Sequence, residues 1–251
     1  MNNISDDLKD LLGEFEEIPE EILWDKCDQL EKNLKEAGVK DWIGKKILFF
    51  DTETTGLPNN YYAPTTDTLN WPHLVQLSWI VTDETGREIK ARNYIIKPCH
   101  WEIPTQATAI HGITQEQAKT EGKPITEVLE KFMWDLDESS LVVGHNISFD
   151  KSIVGCELER THTKDRIANK PDYDTMIETA DLCQIEWSDY YCSYKWPKLQ
   201  ELYFKLFGRH FKSAHNAVND TRATMECFFE LVRLGEININ KLLYQETKKH
   251  G

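Results

Sequence analysis

The chain has 251 residues, 40% of them hydrophobic and 11% aromatic, a composition for a folded domain rather than a disordered one. Its formal charge of −14 at pH 7 excludes a protein that grips nucleic acid through bulk electrostatics. No apolar run approaches the roughly 20 residues that span a bilayer, so no membrane partner is expected. The six cysteines include no C-x-x-C pair, which fits reduced thiols in a cytoplasmic protein better than a disulfide framework or a zinc site.

The charge is uneven, because residues 1–40 hold 12 acids against 5 lysines. Within them Leu8, Leu11, Leu12 and Phe15 keep helical spacing, and Pro19 suits the first turn of a second helix. Leu23, Cys27, Leu30 and Leu34 form its stripe, and Gly38 is a natural stop. Residues 1–44 are therefore expected to be a helical extension ahead of the main domain, 45–251.

From Lys46 the pattern changes to strands. "KILFF" predicts a buried strand, "LVQLSWIVT" (74–82) a second and "REIKARNYIIK" (87–97) a third, with "DETG" as the turn between the last two. Thr114 and Gln117 have the spacing of a capping box. Ile125, Val128, Leu129, Phe132, Met133 and Leu136 then keep one helical face. "LVVGHN" (141–146) predicts a short buried strand, followed by a helix from about Phe149. Two more helices are expected, over 198–207 and about 217–233. Strands first, then strand alternating with helix, indicates an α/β fold, a mixed sheet flanked by helices. The segment "PNNYYAPTTDTLNWP" (58–72) is a long aromatic loop, and loops of that length are often functional.

The strand "ILFF" runs straight into Asp51 and Glu53. Side chains two residues apart on a strand share a face, about 6.6 Å apart, so both acids point the same way as Ile47 and Phe49. Asp150 follows a second buried strand, and Asp220 shares a helical face with the small residues Ala223, Thr224 and Cys227. An acid placed against a packed face is costly unless it meets a cation. Four carboxylates without a cysteine partner make a hard-oxygen site suited to two Mg²⁺ or Mn²⁺ ions, which can clamp the attacking and leaving oxygens of a phosphoryl displacement. His215, five residues before Asp220, is placed to take a proton from an attacking water.

"FFDTETTGL", "VGHNISFD" and "AHNAVND", in that order, resemble the three motifs of the DEDDh exonucleases. That group includes the proofreading epsilon subunit of bacterial DNA polymerase III, ribonuclease T, oligoribonuclease and the three-prime repair exonucleases. The resemblance covers about residues 46–234. It implies a ribonuclease-H-like fold and metal-dependent 3′→5′ hydrolysis of single-stranded DNA ends, releasing nucleoside 5′-monophosphates. By the same resemblance Asp51 bridges two divalent ions, Glu53 and Asp220 complete one site, Asp150 serves the other, and His215 is the general base. Thr54, Thr55, Gly56 and Leu57 match the segment that holds the terminal nucleotide. His145, Asn146 and Phe149 match its phosphate and sugar neighbourhood, and His111 in "IHGIT" matches a histidine near the scissile phosphate.

Residues 1–44 and the 58–72 loop stand outside the common pattern, and a polymerase or a second copy of the chain is a candidate partner for the former. An exoribonuclease shares the same five catalytic residues and differs through contacts to the 2′-hydroxyl. A non-catalytic nucleic-acid or polymerase adaptor is the alternative of another class, and five intact catalytic positions weigh against it.

Overall fold

The structure, a computed structural model, describes residues 45–186, 194–211 and 216–244. The helices expected within 1–44, and His215, lie outside the described residues.

Five strands make one sheet: β1 (Ile47–Thr54), β2 (Leu74–Thr82), β3 (Glu88–Ile95), β4 (Leu141–Gly144) and β5 (Asp172–Asp174), in the order β3-β2-β1-β4-β5. β1 pairs antiparallel with β2 and β2 with β3, the second pair joined by the short turn after Thr82. β1 and β4, and then β4 and β5, pair parallel, which requires the long crossovers that the helices supply. The mixed α/β sheet expected from the sequence is what forms.

Because β1 is central, both its faces are covered. Leu48 and Phe50 enter one core with Val128, Phe132 and Leu136 of α3 (Ile125–Glu138) and Ile153 and Val154 of α4 (Ile147–Arg160). Ahead of these in the chain lie α1 (Thr105–His111) and α2 (Gln115–Glu121). Ile47 and Phe49 face the other way, onto Phe228 and Leu231 of α8 (Ala217–Leu234), with the Phe49 and Phe228 rings edge to face at 5.5 Å. Between these helices come the single turns α5 (Thr175–Glu178) and α6 (Ala180–Cys183), then α7 (Leu199–Phe207), which Gly208 ends in a left-handed conformation at φ 66°. The last described element is α9 (Ile239–Tyr244).

Several local features depart from the sequence pattern. α1 has only seven residues, too few for a periodic signal. Thr114 Oγ1 does accept from the Gln117 amide at 3.1 Å, but the Gln117 side chain turns forward to Glu121 instead of closing the box. β4 stops at Gly144, since Asn146 takes a left-handed conformation (φ 67°, ψ 44°), and α4 opens earlier than expected, at Ile147.

One group of charges is buried in the core. Asp135 of α3 accepts from Lys90 Nζ at 2.8 Å and from Trp79 Nε1 at 2.8 Å, and its second oxygen lies 3.4 Å from Arg92 Nε. Among the described residues no helix is long and apolar enough to cross a membrane. Cys99, Cys156, Cys183 and Cys227 are free thiols.

Candidate active site

The alternation of β1 sorts its C-terminal end. Asp51 and Glu53 continue the side of Ile47 and Phe49, toward α8, and Asp220 in the first turn of that helix comes to meet them. One ligand atom from each of Asp51, Glu53 and Asp220 lies within 4.8 Å of the other two, and all three residues are partly exposed. Thr52 points to the opposite side of the strand, toward α4. There its amide and hydroxyl both donate to Asp150 Oδ1, at 3.0 and 2.6 Å. The fourth acid is thus fixed beside the other three, which is how carboxylates from three separate elements converge.

The electrostatics are one-sided. Burial first, then the charges of Asp150, Asp220 and Glu53, hold the Asp51 carboxyl well above its usual range. Burial, then Asp220 and Asp150, push Glu53 up to about 8. Burial raises Asp150 to about 7, against the two Thr52 hydrogen bonds, which pull it down. An all-oxygen donor set that resists ionising until positive charge arrives fits divalent cations such as Mg²⁺ or Mn²⁺.

The other expected residues divide. Thr55 exchanges bonds with His73, its amide donating to the His73 carbonyl and its hydroxyl accepting from the His73 amide, both at 2.9 Å. Thr54 Oγ1 donates to the Gly56 carbonyl at 2.7 Å, and Leu57 beyond it is 73% exposed. The segment 54–57 is therefore a pinned rim beside the acids. His111, at the end of α1, is buried, and its Nδ1 accepts from the Ile113 amide at 3.1 Å. Burial lowers its pKa, against the nearby Thr54 backbone, which raises it.

His145 has both ring nitrogens engaged. Nε2 lies 2.9 Å from the Pro197 carbonyl and Nδ1 3.0 Å from the Thr175 hydroxyl, which itself donates to the Gly144 carbonyl at 3.0 Å, and burial lowers the ring's pKa. The structure uses this histidine to tie the turn after β4, and neither nitrogen is left for a phosphate. The Asn146 amide donates to Asp174 Oδ1 at 2.9 Å, and Phe149 is half-buried just ahead of Asp150.

Thr52 and Asp174 are the supporting residues that sequence reasoning missed. Strand alternation pointed to Thr52, since a residue between two acids on one face lies on the other. Asp174 gave no signal, for its role rests on a bond to an amide 28 residues away.

A family model described as an exonuclease, RNase_T, matches residues 48–228, and the chain belongs to that family. It is 27% identical over 211 residues to a DNA polymerase III subunit epsilon-like protein of Rhodobacter capsulatus, covering 82% of this chain and 27% of the relative. It is 29% identical over 187 residues to a PolC-type DNA polymerase III of Listeria welshimeri, covering 73% of this chain and 11% of the relative. The chain thus spans about a quarter and about a tenth of the length of these curated relatives. Its fold is similar to that of E. coli Exonuclease I in complex with a dA16 oligonucleotide, with a TM-score of 0.58 and 20% identity over 76% of this chain and 41% of that one. An Exonuclease I from Methylocaldum szegediense is similar to the same degree, with a TM-score of 0.58 and 21% identity over 78% of this chain and 42% of that one.

Proposed function

We propose that the chain is a divalent-cation-dependent 3′→5′ exonuclease acting on single-stranded DNA ends and releasing nucleoside 5′-monophosphates. The observation that carries this is the convergence of Asp51, Glu53 and Asp220 within 4.8 Å, inside a domain of the exonuclease family. Asp51 would hold both cations, Glu53 and Asp220 one of them, and Asp150, oriented by Thr52, the other. Bound there, the cations would neutralise the cluster, polarise the scissile phosphate and acidify the attacking water. His215 would take the proton from that water. The rim 54–57 would seat the terminal nucleotide, with Thr54 and Thr55 fixing the backbone and Leu57 packing on the base.

The epsilon-like relative and the Exonuclease I complex with dA16 favour DNA over RNA. The test is digestion of matched DNA and RNA oligonucleotides, single- and double-stranded and labelled at the 3′ end, with Mg²⁺. Rapid release of labelled mononucleotide from single-stranded DNA, abolished by EDTA, is the expected result. Equal or faster release from RNA would make the chain an exoribonuclease, and no release from any substrate would remove the proposal.

A further inference from the structure

The loop after the rim is closed at three levels. The Thr55 and His73 exchange pinches its base. Above that, the Asn60 amide donates to Asn70 Oδ1 at 2.7 Å, and Asn70 Nδ2 donates back to the Asn60 carbonyl at 2.9 Å. From the side, Arg160 of α4 donates to the carbonyls of Thr68 (2.7 Å), Trp71 (2.6 Å) and Pro72 (3.2 Å). Trp71 is buried, and its Nε1 donates to the Pro64 carbonyl at 3.2 Å. So much backbone fixation holds the loop in one conformation, yet its tip carries Tyr61 54% exposed, Tyr62 96% exposed and Leu69 92% exposed.

Scattered exposed apolar side chains need no explanation, but a braced segment that displays several in succession does. Their position supplies one. The Tyr61 ring lies 6.4 Å from that of Phe149, tilted by 42°, and Phe149 immediately precedes Asp150. One aromatic contact therefore joins the loop to the helix that carries Asp150, with Tyr62 exposed next to Tyr61 in the chain. The chemistry of the loop narrows the occupant further. Residues 58–72 contain one acid, Asp67, and no lysine or arginine, so phosphate contacts are not what they offer. With a net charge of −14, a broad electrostatic grip on a strand is not expected, so uncharged contacts gain weight beside those at the carboxylates. Stacking of bases on rigid aromatic side chains meets that need and tolerates any sequence.

We propose that the braced 58–72 loop, through Tyr61 and Tyr62, is a stacking platform for unpaired bases of a nucleic-acid strand whose 3′ end lies among the carboxylates. The inference rests on the nuclease reading for the polarity of that strand, while the stacking itself is measured separately from cleavage.

The experiment is a cycle on the full chain, read by fluorescence anisotropy in EDTA with a 5′-labelled dA 12-mer and the same strand with its internal bases replaced by abasic sites. Tyr61→Ala/Tyr62→Ala is expected to raise Kd for the intact strand by about tenfold or more, since each stacked base contributes about 1–3 kcal/mol. The abasic strand should bind both proteins within about twofold of each other, because the cycle isolates the base–tyrosine coupling. Tyr62→Phe, which keeps the ring, should bind like the wild type. Equal weakening of both strands, or no weakening of either, overturns the proposal. So does sedimentation showing a wild-type dimer that the double variant dissolves while strand binding is unchanged, which would give the tip to a second copy of the chain. Digestion of the intact strand by the wild type with Mg²⁺ reads the nuclease proposal on its own, whichever way the cycle falls.

Discussion

Asp135, on the helix α3, and Asp51, on the strand β1, are both acids set close to the sheet, yet Asp135 meets its cations inside the chain and Asp51 meets more acids. Around Asp135, Lys90 and Arg92 reach across from β3 and the Trp79 indole donates as well, so the buried charge is balanced where it lies. Around Asp51, among the described residues, the charges that act on it are the carboxylates of Asp150, Asp220 and Glu53. The first group completes itself on folding. Under the proposed function the second would be completed by cations from solution, a difference that substitution and pH can test.

The largest expected effect comes from breaking the unbalanced group. Asp51→Asn should remove nearly all nuclease activity while raising the melting temperature of the metal-free protein, because it relieves repulsion among like charges. Activity within tenfold of the wild type would refute the assignment of Asp51. His215→Ala should follow, lowering turnover by about 10²–10⁴ with Mn²⁺ binding by calorimetry nearly unchanged. A lost ion site would make the histidine a ligand instead of a base.

The balanced group should respond in the opposite way. Asp135→Ala leaves Lys90 and Arg92 buried without their acid, at a cost of about 3–5 kcal/mol in urea unfolding. Little of that loss should be specific to catalysis, so the surviving folded fraction should keep its turnover per molecule. A stable variant that had lost activity would place Asp135 in the site's support.

pH sharpens the contrast. Glu53 and Asp150 are raised in the folded state to about 8 and about 7, above their ordinary values of 4.5 and 3.8. Groups shifted upward bind more protons folded than unfolded, so their contribution is fully present below about pH 4 and is lost as pH rises through 7 to 8. The metal-free protein should therefore melt lower at pH 8.5 than at pH 5, and excess Mg²⁺ should reverse most of that fall. A melting temperature indifferent to Mg²⁺ at pH 8.5 would show that the cluster does not hold the ion. The smallest effect is expected from removing residues 1–40. A chain beginning at Asp41 should keep its specific activity on a short single-stranded oligonucleotide, and a folded truncation with less than a tenth of it would tie the extension to the site.

Much of this was legible in the sequence because β1 carries two periodicities at once. Its apolar run marked a central strand, and the two-residue step placed Asp51 and Glu53 together on the side of Phe49. Asp150 and Asp220 were recognisable by their motifs. What the residues did not disclose was their bracing. Arg160 looks like an ordinary helix-end cation, and only the fold brings it to three carbonyls of a loop some 90 positions earlier. His145 sits in a motif that suggests a substrate contact, and only tertiary structure gives it Pro197, 52 residues on. Local pattern reads elements and their faces, whereas bonds between distant backbones depend on topology.

The position of α8 has a consequence for how the molecule comes into being. This helix covers Ile47, Phe49, Leu141 and Val143, and its first turn brings Asp220 to the acids of β1. Strands β2 and β3 are joined by a short turn and can pair early, but the parallel partner β4 of β1 and then α8 lie far along the chain, and such distant contacts form slowly. An emerging polypeptide that has reached only β5 therefore has an uncovered sheet face and an incomplete set of carboxylates. The carboxylate group and the burial of that sheet face are completed by the same helix, so under the proposed function a half-finished molecule would be inert.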